Sequence, residues 1–215
     1  MRRLDTRAID RIGIPRLLLM DHAGLAIARA VRTLAPSSGL VLACCGTGYN
    51  GGDGLAALRH LSGWGYAVRA LIAGGPEQLR EEPATFARLL ARLGVPVDAW
   101  TPGAGQRRAS SWFTRASVII DALLGVGARG AAREPVAAII RRINAAGRPV
   151  VCADVPSGVD ADTGAASGDA VQGTMTVTFG VCKRGLATRA GRRLAGRLVV
   201  DPITLPIAWL EHRAR

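Results

Sequence analysis

Short apolar runs alternate with longer stretches of helical spacing along most of this chain. Leu17, Met20, Ala23, Ile27 and Val31 recur at three- and four-residue intervals and predict a helix, which Pro36, Ser37, Ser38 and Gly39 end. Asp21 and His22 fall inside it and read as solvent-facing or capping residues. From Val41 an apolar run of strand length stops at Gly46, and helical spacing resumes at Leu55, Leu58 and Leu61. Tyr66 to Ala73 reads as a second buried strand closed by Gly74, Gly75 and Pro76, and Pro76 to Leu93 reads as a helix. Val95 to Trp100 is a short extended piece, and Ser110 to Ala116 a short helix. Ser117 to Leu124 and Pro149 to Asp154 are strands with a helix from Pro135 to Ala146 between them, Pro standing in its first turn. Met175 to Phe179 and Arg197 to Val200 complete the strands, and a short helical tail is expected around Leu210.

Strands alternating with helices predict an α/β fold, a Rossmann-like three-layer α/β/α sandwich around a mostly parallel central sheet. Ligands of such sheets bind at the carboxyl ends of the strands, near a topological switch point. Three strands deliver polar groups to that edge. The first is followed by Gly46, Gly48, Asn50, Gly51, Gly52, Asp53 and Gly54. Glycines there let backbone N–H groups approach a ligand, and the positive end of the next helix points at the same spot. The second strand of the three carries Asp121 near its end, and the third ends on Asp154 and runs into Ser157.

Asn50, Asp121 and Ser157 are hard oxygen donors with one carboxylate among them, which favours a monovalent ion over calcium. The first glycine loop and Gly125 to Ala131 form a pair suited to a pyrophosphate. Asp154 is the carboxylate best placed for proton transfer. Lys183 is the only lysine in a chain whose other basic side chains are arginines, which marks it as a position needing a compact ammonium and as an electrostatic partner.

Composition narrows the class. The 215 residues are 49% apolar, ample for one large domain, and no apolar run is long enough to span a membrane. No secretory signal is recognisable, so a cytoplasmic protein is expected. Cys44, Cys45, Cys152 and Cys182 lie in or beside apolar runs and read as reduced core residues. The formal charge of +12 is spread in ones and twos without interleaved aromatics, which suits attraction of anionic ligands; nucleic acid is not the expected partner.

GTGYNGGDGLAALRHL, DALLGVGARG, VVCADVPSGVDADTG and TVTFGVCKRGL, in this order and separation, resemble the motifs of the NAD(P)H-hydrate epimerase family, also known as the YjeF N-terminal domain. The resemblance covers nearly the whole chain. It implies a single domain over residues 1–215 without a dehydratase domain, interconverting the R and S epimers of NADHX and NADPHX, nicotinamide cofactors hydrated at C6. A separate ADP- or ATP-dependent NAD(P)H-hydrate dehydratase would be the functional partner, and a homodimer, meeting through the N-terminal helix, the assembly.

The resemblance further implies one potassium ion per subunit, held by Asn50, Asp121 and Ser157. Substrate would be bound by Tyr49, Asn50, Gly51, Gly52, Asp53, Gly125, Val126, Gly127, Ala128, Arg129, Gly130, Ala131 and Asp154. Asp154 and Lys183 would be catalytic, Asp154 exchanging a proton while C6 loses and regains its hydroxyl or the ring opens. Tyr49 and Val126 depart from the family pattern, where asparagine and threonine are usual; Tyr49 is able either to stack on a ring or to narrow the loop. Two other readings compete. One is a non-catalytic Rossmann-like nucleotide- or RNA-binding interaction module, as in messenger-RNA decapping scaffolds. The other is an NAD-dependent dehydrogenase, which lacks support because the second strand, YAVRALIAGG, ends on glycines with no acidic residue in the place that would grip a ribose hydroxyl.

Overall fold

A computed structural model describes residues 6–35, 39–101 and 103–206. Its centre is a seven-stranded sheet in the order β3-β2-β1-β4-β5-β6-β7. The strands are β1 (Leu40–Cys45), β2 (Ala67–Ala73), β3 (Val97–Trp100), β4 (Ala116–Ala122), β5 (Val150–Ala153), β6 (Met175–Phe179) and β7 (Arg197–Asp201). Every pairing is parallel, so the expected mostly parallel sheet is wholly so. Parallel neighbours need crossovers, and helices supply most of them: α1 (Arg16–Leu34) precedes β1, and α2 (Tyr49–Gly63), α3 (Glu81–Arg92), α4 (Ala104–Arg115) and α5 (Val136–Ala145) join strands. Two short helices, α6 (Arg184–Ala187) and α7 (Arg189–Ala195), lead to β7.

The two faces of the sheet are separated by the period-two alternation of its strands. Val41, Ala43, Cys45, Val118 and Ile120 pack with α1, α2 and α3 residues such as Ile27, Leu58 and Leu90. Leu42, Cys44 and Ile119, facing the other way, pack with Trp112 and Phe113 of α4 and Ile139, Ile140 and Ile143 of α5. The two helical layers confirm the three-layer reading. α1 and α2 lie close because Gly24 meets Ala56 without a side chain between them; a Cβ at Gly24 would fall 2.5 Å from that of Ala56.

Several local expectations change. The helix expected from Ser110 begins already at Ala104 and ends at Arg115, and Ala116 opens β4. The helix expected from Pro76 is divided into a 3-10 turn, Pro76–Gln78, and α3 from Glu81. Asp21 is no free surface residue: it accepts from Arg59 at 2.7 Å and lies 3.3 Å from His60 Nε2, joining α1 to α2. Cys44, Cys45 and Cys152 are buried, and burial pushes their thiols up, so they stay protonated. Cys182 is exposed, which corrects its assignment to the core: β6 stops at Phe179, and Gly180 at φ +69° turns the chain out before Cys182. The expected stop at Pro36 to Ser38 and the tail around Leu210 lie outside the described residues.

Candidate active site

The chain runs outward from β1 in both directions, to β2 and β3 on one side and, after α4, to β4 through β7 on the other. The switch point therefore falls between β1 and β4. A cavity of about 830 Å³ opens there, in the size range of small-molecule sites. Its lining comes from the loop after β1 (Gly46, Thr47, Gly48), the first turn of α2 (Tyr49, Asn50, Asp53) and the loop after β4 (Leu124, Gly125, Val126, Gly127, Ala128). Asp154, Phe179 and Ile203 close one end, and Ala73, Gln78, Arg80 and Arg16 stand toward the other strands.

The β1 loop can curl so tightly because Gly51 sits on Gly46; a Cβ there would fall 1.8 Å from the Gly46 carbonyl oxygen. α2 starts at Tyr49 with no side-chain cap on Gly48, so the backbone N–H groups of its first turn are available at the cavity wall.

Asp154 occupies the other end. It follows β5 directly, and Val155 N–H bonds back to the Ala153 carbonyl at 2.8 Å, making Asp154 the centre of a three-residue turn with φ +66°. That hand of turn is rare and strained for a side-chain-bearing residue, at about 1–3 kcal/mol. β6 ends in the same way, with Gly180 at the centre and Val181 N–H on the Phe179 carbonyl. The paired turns bring the two strand ends together. Asp154 Oδ1 accepts from Lys183 Nζ, from Phe179 N–H at 3.1 Å and from Thr178 Oγ1 at 3.3 Å, while Lys183 also donates to the Phe179 carbonyl at 2.7 Å. Asp154 and Lys183 are only 7% and 6% exposed. All three donors fall on one oxygen, and Oδ2 has no hydrogen-bond partner among the described residues. Three donors thus fix the carboxylate through one oxygen and leave the other open to accept from a bound molecule.

The second buried carboxylate, Asp121, is fully enclosed. Ser157 N–H donates to its Oδ2 at 2.8 Å, Ser157 Oγ to its Oδ1 at 2.5 Å, and Leu123 N–H to Oδ1 at 3.3 Å. Burial raises its pKa, and these hydrogen bonds offset only part of that effect. No cationic side chain among the described residues pairs with it. Asn50 and Ser157 converge on the same loop: Asn50 Nδ2 donates to the Leu124 carbonyl at 3.0 Å, and Leu124 N–H donates to Ser157 Oγ at 2.9 Å. Asn50 and Ser157 thus both bond to Leu124, and Asp121 joins them through Ser157 and the Leu123 N–H, so that three segments distant in sequence share one loop. Their oxygens and that carbonyl form a hard donor set beside a carboxylate without a counter-ion, which fits a monovalent cation.

A family model described as YjeF-related protein N-terminus matches residues 16–185. The chain belongs to this family. The NAD(P)H-hydrate epimerase of Limosilactobacillus fermentum is 40% identical over 200 residues, covering 93% of this chain and 92% of that protein. The bifunctional NAD(P)H-hydrate repair enzyme Nnr of Pyrobaculum aerophilum is 45% identical over 202 residues, 93% of this chain, and the match spans 40% of that protein's length. The crystal structure of yeast ynu0, YNL200c, superposes with a TM-score of 0.77 at 27% identity, covering 86% of this chain and 79% of that one.

Of the positions that the YjeF resemblance assigned to substrate, Tyr49, Asn50, Asp53, Gly125, Val126, Gly127, Ala128 and Asp154 line the cavity. Gly51, Gly52, Arg129, Gly130 and Ala131 do not. Gly51 and Gly52 face the Gly46 backbone and Met20, and Arg129 is turned outward to Asp160 and Asp162 at 3.6 and 3.1 Å. Thr178, the Phe179 N–H and the Leu124 carbonyl escaped the sequence reading. Thr178 lies in an apolar strand, and backbone groups carry no residue-type signal. Arg16 and Arg80 escaped it as well, since nothing distinguishes them from the other arginines until the fold brings them to the cavity rim.

Proposed function

We propose that this chain is an isomerase, an NAD(P)H-hydrate epimerase that interconverts the R and S forms of NADHX and NADPHX. The observation that carries the reading is the Asp154–Lys183 pair at the end of the cavity, with Oδ2 of Asp154 left open, in a chain that is 40% identical to an epimerase along 92% of that protein. An interaction module has no use for a buried, strained, ion-paired carboxylate of this kind.

The glycine loop of β1 and the Gly125–Ala128 loop hold the pyrophosphate at the switch point, using the N–H groups at the start of α2. The hydrated ring then reaches Asp154. Its C6 hydroxyl gives a proton to Oδ2, a carbonyl forms at C6, and the C6–N1 bond breaks with its electron pair going to N1. N1 takes the proton back from Asp154. Reclosure on the opposite face of the carbonyl returns the proton by the same route and inverts C6. Lys183 balances the charge of Asp154 and, with Thr178 and Phe179 N–H, fixes the carboxylate in place. Asn50, Asp121, Ser157 and the Leu124 carbonyl would hold potassium. When bound, that ion supplies positive charge next to the substrate phosphates.

The dehydratase that consumes the S form is a separate catalytic unit, carried on the same chain in the bifunctional relatives. We place the enzyme in the cytoplasm, as its sequence suggests; among the described residues no helix is long and apolar enough to cross a membrane. A homodimer over α1 is supported by Leu17 and Leu18, 39% and 45% exposed on that helix. The deciding experiment follows R-NADPHX by chromatography or NMR with the wild type and Asp154→Ala, with and without potassium. Wild-type acceleration above the spontaneous rate that vanishes in the variant is expected. A folded wild type that gives only the spontaneous rate overturns the reading.

A further inference from the structure

The cavity follows the strand order of the sheet, and its parts are unequal. Asp154 and Phe179 stand at the β5/β6 end, and the two glycine loops at β1/β4. Past β1, toward β2, the lining is Ala73, Gln78 and Arg80. A dinucleotide with its reactive ring at Asp154 and its pyrophosphate at the switch point must extend its adenosine half to this β2 end.

That end is built for positive charge. The guanidinium groups of Arg16 and Arg80 lie 4.4 and 4.8 Å from the centroid of the Tyr49 ring, so Tyr49 holds two cations at the rim and is not an open stacking platform. Arg16 is partly neutralised by Glu82 at 3.3 Å. Arg80 has no carboxylate partner among the described residues. Its backbone N–H is fixed to the Thr47 carbonyl at 3.2 Å, tying the Arg80 segment to the glycine loop. The only acidic side chains lining the cavity among the described residues are Asp53, on α2, and Asp154. β2 itself leads into Gly74 and Gly75, and Glu77 of the turn that follows lies beside Gly75 and does not line the cavity. In nucleotide-binding α/β sheets a carboxylate after the second strand grips the ribose 2′-hydroxyl of NAD, and an arginine there accommodates the 2′-phosphate of NADP.

Resting on the epimerase reading, we infer that the β2 end receives the adenosine half of the substrate and that Arg80, sharing the Tyr49 ring with Arg16, grips its 2′-phosphate. NADPHX is therefore the preferred substrate, and Arg80 is a specificity-determining residue. Guanidinium forks suit phosphate oxygens, and Tyr49 limits the freedom they lose on binding.

Titration calorimetry on the full chain tests this with adenosine 2′,5′-bisphosphate and AMP as probes. The bisphosphate is expected to bind about tenfold or more tightly, the worth of one charge-assisted hydrogen bond. Arg80→Gln should bring the two affinities within about twofold, and Arg80→Lys should keep part of the difference. In turnover, the KM values of R-NADPHX and R-NADHX should differ in the wild type and converge in Arg80→Gln. Equal binding of the two probes, or equal losses for both on Arg80→Gln, overturns the inference, since the arginine would then serve the pyrophosphate. Tighter AMP binding also overturns it and points to Asp53 on the ribose. Accelerated epimerisation without 2′-phosphate preference removes this inference and leaves the epimerase; preference without acceleration does the reverse.

Discussion

Two buried carboxylates stand on neighbouring strands at the carboxyl edge of the sheet, and the fold treats them differently. Asp121 lies in regular β4 with only neutral donors around it, and no cationic side chain among the described residues balances its charge. Asp154 follows β5 in a left-handed turn and is paired with a buried lysine. A carboxylate lacking a counter-ion among hard oxygens suits the proposed cation, and one with a built-in ammonium and an open second oxygen suits the proposed proton transfer. Burial alone does not separate these roles; the partners do.

The largest effect expected from breaking this contrast is on rate. Asp154→Asn removes the proton acceptor and should lower epimerisation by about 10²–10⁴-fold, measured on R-NADPHX above the spontaneous background. The same change leaves Lys183 buried and unpaired, so urea unfolding should show a loss of about 3–5 kcal/mol. Asp154→Asn combined with Lys183→Met should recover much of that stability and none of the activity. Recovery of activity in the double variant would refute the proton role.

Asp121 should respond to potassium. At about tenfold excess over its Kd, potassium should stabilise the fold by about 1.4 kcal/mol, or raise the unfolding midpoint by about 3–6 °C. Asp121→Asn should abolish the shift. The pH dependence has a definite sign. Burial raises the folded-state pKa of Asp121 above its unfolded value, so without potassium the ionised form destabilises the fold above the folded pKa. That destabilisation fades as pH falls from the folded to the unfolded value. Potassium needs the ionised form, so its stabilising shift should be full above the folded pKa and shrink as pH falls through it. A potassium shift that is unchanged at low pH would exclude Asp121 as its ligand.

The smallest effect should come from Arg129→Ala. Its contacts with Asp160 and Asp162 are solvent-exposed, and it does not line the cavity. Rate should stay within about twofold and the unfolding midpoint within error. A large rise in KM would return Arg129 to the substrate site.

The pattern of apolar runs was enough for the layers, the parallel sheet and its functional edge, because period-two and period-three-to-four spacing follows directly from which face of an element is buried. Asn50, Asp121, Asp154 and Ser157 were legible for the same reason: they are polar residues where apolar runs end. Cys182 misled because an apolar neighbourhood in sequence says nothing about a turn that ejects the chain after Phe179. Arg16 and Arg80 were silent, being two arginines among many.

By itself, then, the sequence determined the elements, the edge at which the site lies and the family to which the chain belongs, since these rest on local spacing and on motifs read residue by residue. Only the tertiary structure decided which charges are paired. It placed Lys183 on one oxygen of Asp154, left Asp121 among neutral donors, turned Arg129 away and set Arg80 at the cavity rim. Those assignments depend on distances between segments far apart in the chain, and electrostatic roles are fixed by such distances and by the exclusion of water around them.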